Sequence, residues 1–158
     1  MLYSMEEGLG DPSELVTMLD DAIAGDPQNI ELWFSRAQIF VSLEDYDEAI
    51  ASLQKALELN PQSYEAQFFT GYYIIMKADA LNQIVNEKQY TNSSEYEADQ
   101  KEILSIYSQA VPYLEASHEI RPQNPDPVQL LKTLCYRLRD EPGMMEKYEK
   151  YNELYKQM

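Results

Sequence analysis

Apolar residues recur at steps of three and four along most of the chain, with polar and charged residues between them. In "DYDEAIASLQKALELNP", Asp45 to Pro61, this spacing puts Leu53, Ala56 and Leu57 on one face of a helix. In "DPSELVTMLDDAIAGDP", Asp11 to Pro27, it does the same for Leu19, Ala22 and Ile23. Each segment opens with an acidic N-cap three residues before a glutamate, Asp11 with Glu14 and Asp45 with Glu48, the sequence form of a reciprocal capping box. Each closes at Asp-Pro or Asn-Pro, where the proline ring disfavours helix for the residue before it.

The two segments lie 34 residues apart and correspond position by position: Leu9 with Leu43, Leu15 with Ala49, Leu19 with Leu53, Ala22 with Ala56, Ile23 with Leu57 and Pro27 with Pro61. Between them "NIELWFSRAQIFVSLE" predicts a further helix with Leu32, Trp33, Ala37 and Phe40 along one side. A period of two helices in 34 residues resembles the tetratricopeptide repeat. Residues 30–63 are closest to it, with Trp33, Ala37, Phe40, Tyr46, Ala49, Leu53, Ala56 and Pro61 at the family's marked positions. Arg36 departs, since the family usually has leucine there. The resemblance implies an all-α fold, an α-solenoid of antiparallel helix pairs.

The frame continues through Thr70-Gly71 but meets Gln83 where a small residue is due. It resumes at Ala110, Leu114, Ser117 and Pro122. Pro61 and Pro122 are 61 residues apart, one period with 27 residues added. Ile74, Ala78, Leu81 and Val85 before the polar stretch "KQYTNSS", and Tyr96, Ile103, Tyr107 and Ala110 after it, keep helical spacing. The addition therefore predicts a protruding hairpin in which both helices gain three or four turns. Pro112 is expected to bend the second of them. The expected organisation is one domain over 1–158: a partial repeat at 1–29, a repeat at 30–63, a repeat with the 27-residue insertion at 64–124, and a C-terminal repeat or capping helix at 125–158. Such lengthened middle helices, with "PY" early in the second, are similar to those of bacterial tetratricopeptide proteins. Residues 1–8 read as a remnant helix or a frayed end. Tyr151 stands where other repeats have Ala or Ser, as suits a terminal helix.

Charge narrows the partners. The chain has 28 acidic and 12 basic residues, and residues 1–65 hold 14 of the acids but only two of the bases. A net charge of −16 disfavours nucleic acid and anionic membranes, and a basic partner should prefer the first half. No apolar run reaches the ~20 residues of a membrane span, and the N-terminus lacks the features of a signal peptide. The expectation is a soluble chain, in a bacterial cytoplasm or, after removal of an export signal, a periplasm.

Catalytic chemistry is sparse. His118 and Cys135 read as packing residues, Asp45, Asp47 and Glu48 as a cap and a solvated turn, and "NSS" at Asn92 has no supporting context. There is no Gly-rich phosphate loop, HExxH or CxxC. No enzyme activity, cofactor or metal is expected.

What the resemblance implies is recognition by the inner face of the first helix in each repeat. The corresponding positions are Glu31, Phe34, Gln38, Val41 and Ser42, then Glu65, Phe68, Tyr72, Ile75 and Met76, then Asp126, Gln129, Thr133, Tyr136 and Arg137. Such a groove would take a protein or peptide segment with apolar anchors and some positive charge. Two bland or rival readings remain open: the aromatic residues pack internally, or the chain self-assembles through the hairpin or end to end. The family's clamp for chaperone C-terminal tails is absent, because its positions hold Phe34, Gln38, Phe69, Asp126 and Leu130, none of them basic.

Overall fold

The computed structural model describes residues 11–158, so the expectation for residues 1–8 lies outside the described residues. Seven α-helices follow one another: α1 (Pro12–Gly25), α2 (Ile30–Ser42), α3 (Tyr46–Leu59), α4 (Tyr64–Glu87), α5 (Ser93–Ile120), α6 (Pro125–Arg137) and α7 (Met144–Lys156). The described residues contain no strand. The chain divides into two compact units, Met1–Asn60 and Pro61–Met158.

In the first unit α2 packs against α1 and α3. Small residues bring the helices together: Ala37 on α2 and Ala49 and Ala56 on α3 are at most 1% exposed, as is Leu53 beside them. Arg36 fills the leucine position with a polar junction. Its guanidinium donates to Asp20 of α1 at 2.8 Å, and to Ser52 and Glu48 of α3 at 2.7 and 3.0 Å, while lying 4.5 Å over the Phe40 ring. Trp33 Nε1 donates to the Pro27 carbonyl at 3.0 Å and ties the loop before α2 to the helix.

The caps are one-sided rather than reciprocal. Asp11 accepts from the Ser13 N–H at 3.0 Å, and Asp45 from the Glu48 N–H at 3.2 Å. The return bond at Asp45 is pre-empted, since its own N–H donates to the Phe40 carbonyl at 2.9 Å and the Glu48 carboxylate is held by Arg36. Between α2 and α3, Glu44 adopts a left-handed φ of 59°, a conformation that costs a residue with a Cβ free energy.

The second unit contains the predicted hairpin. α4 and α5 run for 24 and 28 residues, against 13 and 14 in α2 and α3. Ala78, Val85, Ile103, Tyr107 and Ala110 form its buried seam, and α5 continues through Pro112. At the tip, Lys88 and the Tyr90 hydroxyl both donate to Asp99 at 2.7 Å, and the Tyr90 ring meets the edge of Tyr96 at 5.3 Å. Gly71 is where α4 comes closest to α5: a Cβ there would lie 2.8 Å from Leu114 Cγ and 3.2 Å from the Ala110 carbonyl oxygen.

Tyr151 is only 2% exposed, and its hydroxyl donates to Glu115 of α5 at 2.9 Å. Lys147 donates to the same carboxylate at 2.8 Å. The bulky side chain fills space between α5 and α7.

Candidate functional site

The site is best defined on α4 and α6. Residues four apart stack along a helix, and Tyr64, Phe68 and Tyr72 use this to form a ladder of nearly parallel rings. Tyr64 and Phe68 lie 5.7 Å apart at 10°, Phe68 and Tyr72 6.2 Å apart at 5°. Phe69 buttresses Phe68 edge-on at 5.5 Å. The ladder becomes more open along its length: Tyr64 is buried, Phe68 half-buried and Tyr72 38% exposed.

Two polar ties hold α6 alongside α4. At one end Asn124, the N-cap of α6, donates to the Tyr64 hydroxyl at 2.8 Å. At the other, Arg137 donates to Asp79 of α4 at 2.9 Å and to the Tyr107 hydroxyl, with its guanidinium 4.4 Å over the Tyr107 ring. The Tyr107 hydroxyl in turn donates to Asp79. Burial, reinforced by that hydrogen bond, pushes the Tyr107 phenol well above its ordinary range. The ties join the start of α6 to the start of α4 and the end of α6 to its middle, so the two helices run in the same direction. The stretch of α4 and α6 between the ties, a candidate trough, is about 20 Å long at 1.5 Å of rise per residue.

The residues expected to line a groove have different fates. Phe68, Tyr72 and Ile75 lie on α4 between the ties, and Gln129 and Thr133 are exposed on α6, with Thr133 donating to the Gln129 carbonyl at 3.0 Å. Glu65 is taken up by Arg121 at 2.6 Å, and Arg121 also covers the Tyr64 ring at 4.1 Å. Arg137 is occupied by its internal network. Tyr136, half exposed, leans on Tyr148 of α7 at 5.1 Å with Arg139 over its ring. Asp126 is exposed. On α2, in the other unit, Glu31 and Gln38 are exposed, and Phe34 and Val41 half-buried. Tyr64 and Arg121 were not foreseen. Tyr64 carried a signal, the four-residue spacing to Phe68, whereas nothing in the sequence connects Arg121 to α4.

Cys135 and His118 both pack against other side chains of the second unit. Cys135 is fully buried, and burial pushes its thiol up to about 11, which suppresses the thiolate. His118 meets the edge of Tyr151 at 6.3 Å and has a buried Nδ1 without a hydrogen-bond partner. Among the described residues no group of three His, Cys, Asp or Glu is placed to hold a metal, and no helix is long and apolar enough to cross a membrane.

Comparison with known proteins agrees with the helix pairing. The family described as "Tetratricopeptide repeat" matches residues 30–63. The chain is 35% identical over 75 residues to human "Tetratricopeptide repeat protein 28", a match spanning 46% of this chain and 3% of that protein. It is 32% identical over 78 residues to human "Superkiller complex protein 3", spanning 49% and 4%. The matched segments are thus a small part of either relative. A solved structure, "MamA MSR-1 C2", superposes with a TM-score of 0.59 over 94% of this chain and 70% of that one, at 18% identity, which bears on the fold alone.

Proposed function

We propose that this chain, a tetratricopeptide-repeat protein, is a non-catalytic module that binds a segment of another protein along the trough between α4 and α6. Protein–protein interaction is the general role of the repeat. The observation supporting this particular site is the Tyr64–Phe68–Tyr72 ladder, which leaves aromatic area open at Tyr72. Such rings recognise apolar or aromatic side chains at low conformational cost. Because Arg121 and Arg137 already pair with Glu65 and Asp79, the trough is less acidic than its residue types suggest, and apolar anchors take precedence over positive charge.

A displayed peptide library panned against the intact chain and against a Phe68→Ser, Tyr72→Ser variant tests the reading, after circular dichroism has shown the variant folded. Peptides with aromatic or aliphatic anchors should be enriched on the native chain and lost on the variant. Equal enrichment on both would refute the trough. The second reading is self-association through the hairpin, which exposes Ile84 at 64% and Tyr96 at 45%. Light scattering across a concentration series separates the two, because only self-association makes the mass grow.

A further inference from the structure

The 27-residue addition lengthens α5 but not the helices that follow it, and this leaves a step in the second unit. Arg137 ends α6 and donates to the Tyr107 hydroxyl, so α6 stops level with Tyr107. α5 begins at Ser93, about 20 Å earlier at 1.5 Å of rise per residue, and therefore overhangs the turn that joins α6 to α7. In the corner of the step lies a cleft of about 320 Å³, with Lys101, Leu104 and Ser105 of α5 facing Glu141, Pro142 and Met144 of the turn and α7. Leu104 and Met144 are half-buried, whereas Lys101, Ser105, Glu141 and Pro142 are exposed. The cleft is thus apolar within and mostly polar at its rim.

The charges on that rim are unlike the others nearby. Lys88, Arg137 and Lys147 are each paired, with Asp99, Asp79 and Glu115. Among the described residues the Lys101 ammonium has no ion pair, hydrogen bond or ring contact, not even with Glu97 one helical turn before it, and the Glu141 carboxylate has none either. Lys101 and Glu141 line one cleft from opposite walls without reaching each other. In a chain with 28 acidic residues, an unpaired lysine at a cleft remains available to a group from outside.

Size and shape decide between two kinds of occupant. Sites of about 300–1,000 Å³ bury most of a small molecule, but this cleft is at the bottom of that range and open along an exposed rim. It suits one side chain delivered by a segment whose backbone stays outside. We infer that the cleft receives an extended segment of a partner protein, which inserts an aromatic or aliphatic anchor between α5 and the α6–α7 turn. A carboxylate on one side of the anchor meets Lys101, and an amine or guanidinium on the other meets Glu141. The anchor supplies affinity and the two charges supply direction. The cleft shares no residue with the trough between α4 and α6 and does not depend on it.

The probes are two capped peptides with the central orders Glu-Phe-Lys and Lys-Phe-Glu, titrated into the isotope-labelled full chain and followed by NMR amide shifts. One order should bind in preference, with shifts gathered at Leu104, Ser105 and Met144. Alanine in place of the phenylalanine, or Lys101→Glu in the chain, should weaken that binding at least fivefold. Lys101→Glu together with Glu141→Lys should regain it for the opposite order, a reversal that damage to the fold cannot produce. Ser105→Trp should fill the cleft and abolish binding, and because Ser105 is exposed the variant should unfold at the native temperature. No shifts at millimolar peptide, equal affinity for both orders, or shifts centred on Phe68 and Tyr72 would overturn the inference. Free phenylalanine binding as tightly as the peptides would do so too, by making the occupant a small molecule. So would growth of mass with concentration that Ser105→Trp abolishes, since a second copy would then be the occupant.

Discussion

Replacing Gly71 with alanine sets two opposed effects of similar size against each other, and the structure decides between them. Inside a helix, alanine is favoured over glycine by about 1 kcal/mol. At Gly71 the added carbon would lie 2.8 Å from Leu114 Cγ, 3.0 Å from its Cδ2 and 3.2 Å from the Ala110 carbonyl oxygen. Carbon atoms settle at about 3.5–4.0 Å, so α4 and α5 must part by several tenths of an ångström or Leu114 must turn. Leu114 is fully buried and Ala110 O belongs to the helix backbone, which leaves neither an easy way out. Overpacking of this kind costs about 1–3 kcal/mol, so a net loss of up to about 2 kcal/mol is expected after the helix gain. Gly25→Ala is the control, because nothing lies within 4 Å of its added carbon. Urea unfolding followed by circular dichroism should show Gly71→Ala with a lowered midpoint and Gly25→Ala at or above the native one. Adding Leu114→Ala to Gly71→Ala should cost less than the two single losses combined. A Gly71→Ala midpoint equal to or above that of Gly25→Ala would refute the close-approach argument.

Ala49→Asp should unfold the first unit, since it buries a carboxylate at a fully buried helix contact, at a cost of several kcal/mol; fluorescence of Trp33, the chain's single tryptophan, reports that unit, and an unchanged transition would remove the repeat register. Glu44→Gly should raise the urea midpoint, with a gain of roughly 0.5–1 kcal/mol, because glycine adopts the left-handed φ of 59° without strain but starts from a more disordered unfolded chain. His118 is depressed below its ordinary 6.5, first by burial and then by the charge of Lys150, while Glu119 opposes the shift. Its contribution is present above 6.5 and is lost as pH falls from there through the folded value, because the unfolded chain takes up the proton more readily. Stability should therefore fall as the pH drops below 6.5, with a shallower fall in His118→Gln; equal slopes would exclude His118 as the source.

The repeat was legible because its evidence is one-dimensional. Ala49, Leu53, Ala56 and Pro61 reappear as Ala110, Leu114, Ser117 and Pro122 whatever lies between, so the hairpin could be read as an interruption of known length. Gln83 looked like a fault in the pattern only until the frame resumed, and it is exposed, with Ala110 fully buried in the small-residue role. Arg36 was visible as a departure but not as a junction, since Asp20, Ser52 and Glu48 lie on two other helices and look like ordinary surface polar residues. Phe68 and Tyr72 were assigned to the recognition face from their register. Arg137 shared that register, and its capture by Asp79 and Tyr107 depends on where the hairpin helices pass, which spacing along one helix does not encode. The left-handed turn at Glu44 carried no glycine or asparagine to announce it.

The two ties across the trough have a kinetic consequence. Asn124 to Tyr64 and Arg137 to Asp79 join α4 and α6 at two separate points, so in the proposed binding mode the gap between the helices is set before a partner arrives. On that proposal a segment entering there would find a preorganised slot, the entropy of aligning the two helices having been spent in folding. Loosening either tie would leave every ring in place and still widen the range of gap widths the free chain samples. Its signature would be slower association at an unchanged contact surface, rather than the faster dissociation caused by removing a ring.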